Sequence, residues 1–162
     1  HPAVEFLFLG TMFHEKVVRA ELGPGNVQGV TCCSTFAGSD LPSLLADCTV
    51  ALFPSYIEGF GLAVLEQLAA GLPTVAYDVS GPRQILQSMG ARLLTPAGDP
   101  AALAARAAEI LALSVADYER LSAECREIVR RYRWSQIASD TLERYRTALQ
   151  SLGQESTPSA RE

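Results

Sequence analysis

Five short apolar runs, each bounded by turn-forming residues, constrain this chain more than any other feature of it. Val4 to Leu9 ends at Gly10. Val27 to Cys33 follows the Gly23-Pro24-Gly25-Asn26 turn, and Thr49 to Phe53 is stopped by Pro54-Ser55. Thr74 to Tyr77 follows Gly71-Leu72-Pro73, and Ala91 to Leu94 follows Gly90. Runs this short with such punctuation are strands rather than helices. Between them lie segments of helical period, roughly 13–22, 40–47, 61–70 and 81–88, with Asp40 placed to cap the second ahead of Pro42. Strands that alternate with helices and are apolar on both sides belong to a parallel sheet covered on both faces. The expected fold is therefore a doubly wound α/β sandwich.

After residue 98 the pattern turns wholly helical. Asp99, followed by Pro100, is placed to cap an Ala-rich helix to about Leu113. Two more helices follow, from about Val115 to Arg131 and from Ser135 to Leu149. Residues 1–150 read as the folded domain and residues 151–162 as a polar tail. The densest basic cluster, Arg126, Arg130, Arg131 and Arg133, is interleaved with Glu119, Glu124 and Glu127, the pattern of a solvated, ion-paired helix face.

Composition narrows the function classes. The 162 residues are 48% hydrophobic and 19% charged, outside the disordered regime. Eighteen acidic against 13 basic residues, a net charge of −5, argue against wholesale binding to nucleic acid or anionic lipid. No apolar run approaches the roughly 20 residues of a membrane-spanning helix. Cys32, Cys33, Cys48 and Cys125 form no C-x-x-C pair, and Cys32 and Cys33 would point to opposite faces of one strand. They read as buried thiols of a reducing cytoplasm. His14, the one internal histidine, reads as a polar residue at a helix start, so neither a histidine triad nor a metal site is expected. The chain opens on His1-Pro2 without a methionine and reads as a piece of a longer protein.

The chemistry concentrates in Phe53-Pro-Ser-Tyr-Ile-Glu58-Gly59-Phe60-Gly61-Leu62-Ala-Val-Leu-Glu66. A strand ends, a loop carries a carboxylate, two glycines follow, and a helix begins. In an open α/β sheet ligands bind where strand ends face helix starts, and helix starts favour phosphate. A carboxylate at the same place suits a ligand that also offers hydroxyls, as a sugar does. Glu66, on a strip of small residues with Ala63 and Ala70, is placed to accept from a ribose. On the residues alone a second account stands beside this one: Glu66 as a solvated helix residue and Glu58 as a partner of the helix dipole.

The stretch resembles the E-x7-E signature of retaining glycosyltransferases of the GT-B fold (group 1, family 4). Glu58 and Glu66 match the two glutamates, with seven residues between them. The resemblance continues through Asp40 to Ser55, Gly71 to Ile85, Leu93 to Pro100 and Tyr132 to Ile137, covering nearly all of residues 5–149. It implies a Rossmann-like, donor-binding half of a cytoplasmic enzyme that moves a sugar from a nucleoside diphosphate sugar to an acceptor, in glycan or glycolipid biosynthesis. Glu58 would hold a hydroxyl of the donor sugar, the backbone of Gly59, Phe60, Gly61 and Leu62 would line the sugar and diphosphate, and Glu66 would accept from the ribose. Thr35 and Phe36 match the border of the nucleobase. No metal and no cofactor are implied, and catalysis would lie in stabilising the departing diphosphate.

The resemblance also implies what these residues do not supply. The family's first strand, with the Arg and Lys that usually follow it, precedes the first strand seen here. Acceptor site and any general base would lie in an N-terminal domain, leaving this fragment inactive alone. It allows peripheral membrane association of the whole enzyme and self-association of the fragment. A missing first strand would leave Val4–Leu9 and Thr49–Phe53 without the neighbour between them, a gap expected to be closed by their direct pairing or by a segment of another molecule. The competing function is a non-catalytic nucleotide-sugar sensing or interaction module that keeps the fold. A phosphoacceptor domain lacks its acidic pair after the first strand, and a dinucleotide oxidoreductase would want more than Gly10 there.

Overall fold

A computed structural model describes residues 4–23, 25 and 28–155. The chain forms two compact units, residues 1–47 and 48–162. The expected folded domain of residues 1–150 spans both.

In the first unit, β1 (Phe6–Leu9), α1 (Glu15–Leu22) and β2 (Val30–Cys33) make a βαβ unit, with α2 (Leu41–Leu45) after it. The two strands are parallel, Phe6 opposite Val30 and Leu9 opposite Cys33. Arg19 of α1 pairs with Glu15 and donates to the Val30 carbonyl, which ties helix to strand. Val27 and most of the preceding turn lie outside the described residues. Asp40 precedes α2 as expected, yet its carboxylate accepts from the Ala37 N–H, 3.3 Å away, and caps a short 3₁₀ turn (Gly38–Asp40) instead of α2. The α2 start relies on Pro42.

The second unit contains β3 (Ala51–Phe53), α3 (Leu62–Ala69), β4 (Thr74–Tyr77), α4 (Ser80–Ile85), β5 (Leu94–Thr95), α5 (Pro100–Leu111), α6 (Val115–Val129) and α7 (Trp134–Glu155). Its parallel sheet has the order β3-β4-β5. All four residues of central β4 are buried, as a strand covered on both faces requires. Val64 and Leu68 of α3, Val75, Ile85, Leu86, Leu93 and Cys125 form the heart of the core, each fully buried. Gly71 ends α3 at φ +78°, where its N–H bonds to the Leu68 carbonyl and that of Leu72 to Gln67. This double bond to the last turn is the Schellman ending that glycine makes possible. Asp99 caps α5 through the Ala102 N–H at 2.9 Å, and Ser114 caps α6 through Asp117.

Two expectations need correction. Residues 90–92 form a 3₁₀ turn and the last strand starts at Leu94, because β5 takes its register from β4 (Tyr77 opposite Thr95). Of the cysteines only Cys125 is fully buried; Cys32, Cys33 and Cys48 are half-buried. The last helix extends through Glu155, into the expected tail, whose remainder, residues 156–162, lies outside the described residues. The basic cluster divides: Arg130 pairs with Glu127, and Glu124 with Arg92. Arg126 bonds to Ser122, and Arg131 donates to the Ile85 carbonyl at 2.9 Å.

Candidate functional site

The second unit gathers six of the eight expected site residues at the carboxyl edge of its sheet. β3 ends at Phe53, and the loop from Pro54 to Gly61 crosses that edge before α3 begins. Gly61 is the N-cap of α3 at φ +96° and ψ +53°, a left-handed conformation that costs an L-residue about 1–2 kcal/mol. Its carbonyl accepts from the N–H groups of Val64 and Leu65. The N–H groups of Leu62 and Ala63, like those at any helix start, have no carbonyl behind them and point outward. A side chain at Gly61 would meet Glu58, Val64 and Ile85 at 3.5–3.6 Å, so Gly61 is needed for its backbone geometry more than for space.

Glu58 is half-buried and its carboxylate accepts from the Phe60 N–H at 3.3 Å. This holds the carboxylate beside the helix start, where the dipole stabilises negative charge. Glu66 lies one turn into α3 on the exposed strip with Leu62, Ala63 and Ala70. Gly59 is exposed, with no atom within 4 Å of where its Cβ would be. Thr35 and Phe36 belong to the first unit, after β2, where both are exposed. There the Phe36 ring lies 3.6 Å from the position of a Gly10 Cβ, and the Thr35 carbonyl accepts from the Cys33 thiol.

Residues that sequence reasoning did not single out hold the loop in place. A Cβ at Gly81 would come within 2.5 Å of the Phe60 carbonyl oxygen, closer than real atoms approach, so α4 can reach the loop only through a glycine. Beside it, the Ser80 hydroxyl donates to the Glu58 carbonyl at 3.0 Å. On the other side Tyr56 packs against buried Tyr77, ring centroids 5.4 Å apart, and lies 3.4 Å from a Cβ at Gly98. Burial first, then the adjoining Tyr56 hydroxyl, raises the Tyr77 phenol above its ordinary range. The Gly81-Pro82 pair opening α4 was the one available signal, since only a positional reason places glycine inside a helix start. Arg83, one turn further, is held by Asp78 through its carboxylate at 2.6 Å and its carbonyl at 2.9 Å.

Among the described residues no three His, Cys, Asp or Glu side chains come together to hold a metal ion, and no helix is long and apolar enough to cross a membrane. What the edge can do is receive an anion at the helix start beside an acceptor of hydroxyl hydrogen bonds.

The chain is similar in sequence to glycosyltransferases. A phosphatidyl-myo-inositol mannosyltransferase of Mycobacterium leprae is 42% identical over 58% of this chain and 25% of its own length. An MMP alpha-(1->4)-mannosyltransferase of Mycolicibacterium hassiacum is 34% identical over 83% of this chain and 32% of its own. The chain thus spans a quarter to a third of these relatives. Among solved structures, a sucrose-phosphate synthase from Thermosynechococcus elongatus superposes with a TM-score of 0.72 at 29% identity, over 90% of this chain and 38% of its own. It is a GT-B protein, which agrees with the parallel α/β architecture seen here. The model of the family "Glycosyl transferases group 1" matches residues 1–113, and to that family this chain belongs.

Proposed function

We propose that this chain is the donor-binding part of a retaining glycosyltransferase that takes a sugar from a nucleoside diphosphate sugar. The observation that carries the reading is the pairing, on one loop, of a fixed carboxylate (Glu58) with a left-handed glycine opening α3. A sugar joined to a diphosphate needs both: an acceptor for hydroxyls and outward N–H groups for phosphate. Glu58 holds a sugar hydroxyl, the backbone from Gly59 to Leu62 lines the sugar and diphosphate, and Glu66 accepts from the ribose. In the transfer, the bond from the anomeric carbon to the diphosphate oxygen breaks as the acceptor oxygen bonds to the same face. The electron pair leaves with the diphosphate, and the acceptor's proton passes to it. The helix start acts on the charge that develops on that leaving group, which favours the transition state over the bound donor. The acceptor site and further cations belong, in this reading, to the rest of a longer protein.

A thermal-shift panel of UDP-, GDP- and ADP-sugars tests this. One base series should raise the melting temperature progressively with concentration, since stabilisation follows ln(1 + [L]/Kd). No shift with any of the three at millimolar concentration would overturn the reading.

A further inference from the structure

The loop that carries Glu58 is held from a direction its sequence does not suggest. Between α6 and α7 the chain makes one 3₁₀ turn, Arg130–Tyr132. The Tyr132 ring meets the Phe60 ring edge-on, centroids 5.7 Å apart and planes at 69°. Arg131 spans the other side: its guanidinium carbon lies 5.1 Å from the Tyr132 ring centre while an Nη donates to the Ile85 carbonyl at the end of α4. At the start of the same helix, Gly81 and Ser80 touch Phe60 and Glu58. Phe60 is thus gripped between the beginning of α4 and a turn anchored to its end. Both rings are half-buried, and no other aromatic ring touches Phe60 among the described residues.

We infer that Tyr132 is a positioning residue for the Glu58–Gly61 loop: its ring clamps Phe60, so the turn preceding α7 sets the order of the backbone that would meet a donor. The clamp is a property of the fold; only its effect on binding rests on the donor reading above. The contact is one of ring edge on ring face, worth a modest but specific gain over area alone. Its partner Phe60 sits one residue from the left-handed glycine, where a small backbone shift would move the N–H groups of Leu62 and Ala63. Beyond Tyr132, α7 is exposed at every residue from Trp134 to Ser151 except half-buried Ile137. The turn is therefore where the orientation of a loosely held helix meets the candidate site.

Hydrogen–deuterium exchange on this chain, with no ligand, tests the clamp. In Tyr132→Leu the segment 58–62 should exchange roughly three- to tenfold faster, the factor that corresponds to losing one aromatic pair, while β4 keeps its protection. Tyr132→Phe, which preserves the ring, should exchange as the parent does. Unchanged exchange at 58–62 in the leucine variant would overturn the inference. So would equal acceleration in β4, which would make Tyr132 a general stabiliser, or a phenylalanine variant as loose as leucine. If Tyr132→Leu does not fold, Phe60→Leu breaks the pair from the other side and is judged by the same segments. Faster exchange at 58–62 with an undiminished shift by the nucleotide sugars leaves the clamp standing and overturns the role given to the loop in donor binding.

Discussion

On α3, Val64, Leu65 and Leu68 face inward and are buried, while Leu62, Ala63 and Glu66 face outward and are exposed, Leu62 at 61%. The inward residues lie under α6 and beside β4, where they form part of the core. The outward ones touch little of their own unit, and an exposed leucine at a helix start has no packing reason to be there. One helix therefore has two sides about half a turn apart: its inner side holds the fold, and its outer side is the one that the proposed function gives to the donor. Stability and binding should respond to different substitutions on the same eight residues.

The largest expected effect is on the inner side. Leu68→Ala should lower the unfolding free energy by about 2–5 kcal/mol in urea denaturation, the range for deleting a fully buried leucine. It should change donor affinity little as long as the chain remains folded. Next comes the residue that belongs to both sides. Gly81→Ala forces a Cβ into the Phe60 carbonyl, and should cost about 1–3 kcal/mol of stability by overpacking. Unlike Leu68→Ala, it should also weaken the thermal shift given by nucleotide sugars, because the displaced atoms carry the loop. On the outer side, Glu66→Ala should weaken donor binding in calorimetry by about 1–3 kcal/mol, the loss of a charged hydrogen-bond partner. Its urea midpoint should stay within error. A Glu66→Ala protein that binds normally would remove the functional half of the comparison.

The smallest effect concerns the packing of α6 on the inner side. Burial pushes the Cys125 thiol up to about 12 from its ordinary 9.0. The folded state then keeps its proton at pH values where the unfolded thiol has lost it. The contribution to stability is complete below about pH 9 and is lost as pH rises toward 12. The parent should therefore lose more stability than Cys125→Ala between pH 8 and 10.5, measured by urea midpoint. Equal slopes would mean that the thiol is not shielded as its burial implies.

Much of this arrangement was legible from residues alone, for reasons that can be named. The strands announce themselves because glycine and proline bound them, and Asp99 caps α5 because a carboxylate three residues before a free N–H has one obvious partner. Asp40 had an equally near alternative behind it, Ala37, and local spacing could not choose between them. The start of β5 was not legible, since it depends on residues distant in sequence. Glu58, Gly61 and Glu66 fall in one loop and helix, so their common placement was legible. Gly81 and Tyr132 were missed because each reaches Phe60 across a fold, from 21 and 72 positions away.

The bonds that α6 and its following turn make also bear on the order in which this chain can acquire its structure. Tyr118 donates to the Thr49 carbonyl across 69 residues, Ser122 to Gly71 across 51, and Arg131 to Ile85 across 46. The neighbouring strand pairs β3-β4 and β4-β5 close much shorter stretches, so their chain-closure entropy is smaller and they can form earlier. During synthesis, β3, β4 and β5 would emerge and pair before the helix that covers α3 exists. Until residue 131 has left the ribosome, Val64, Leu65 and Leu68 would lack the cover that α6 provides. The inner face of α3 would then be open to protease or chaperone during the very interval in which the outer face already has its final form.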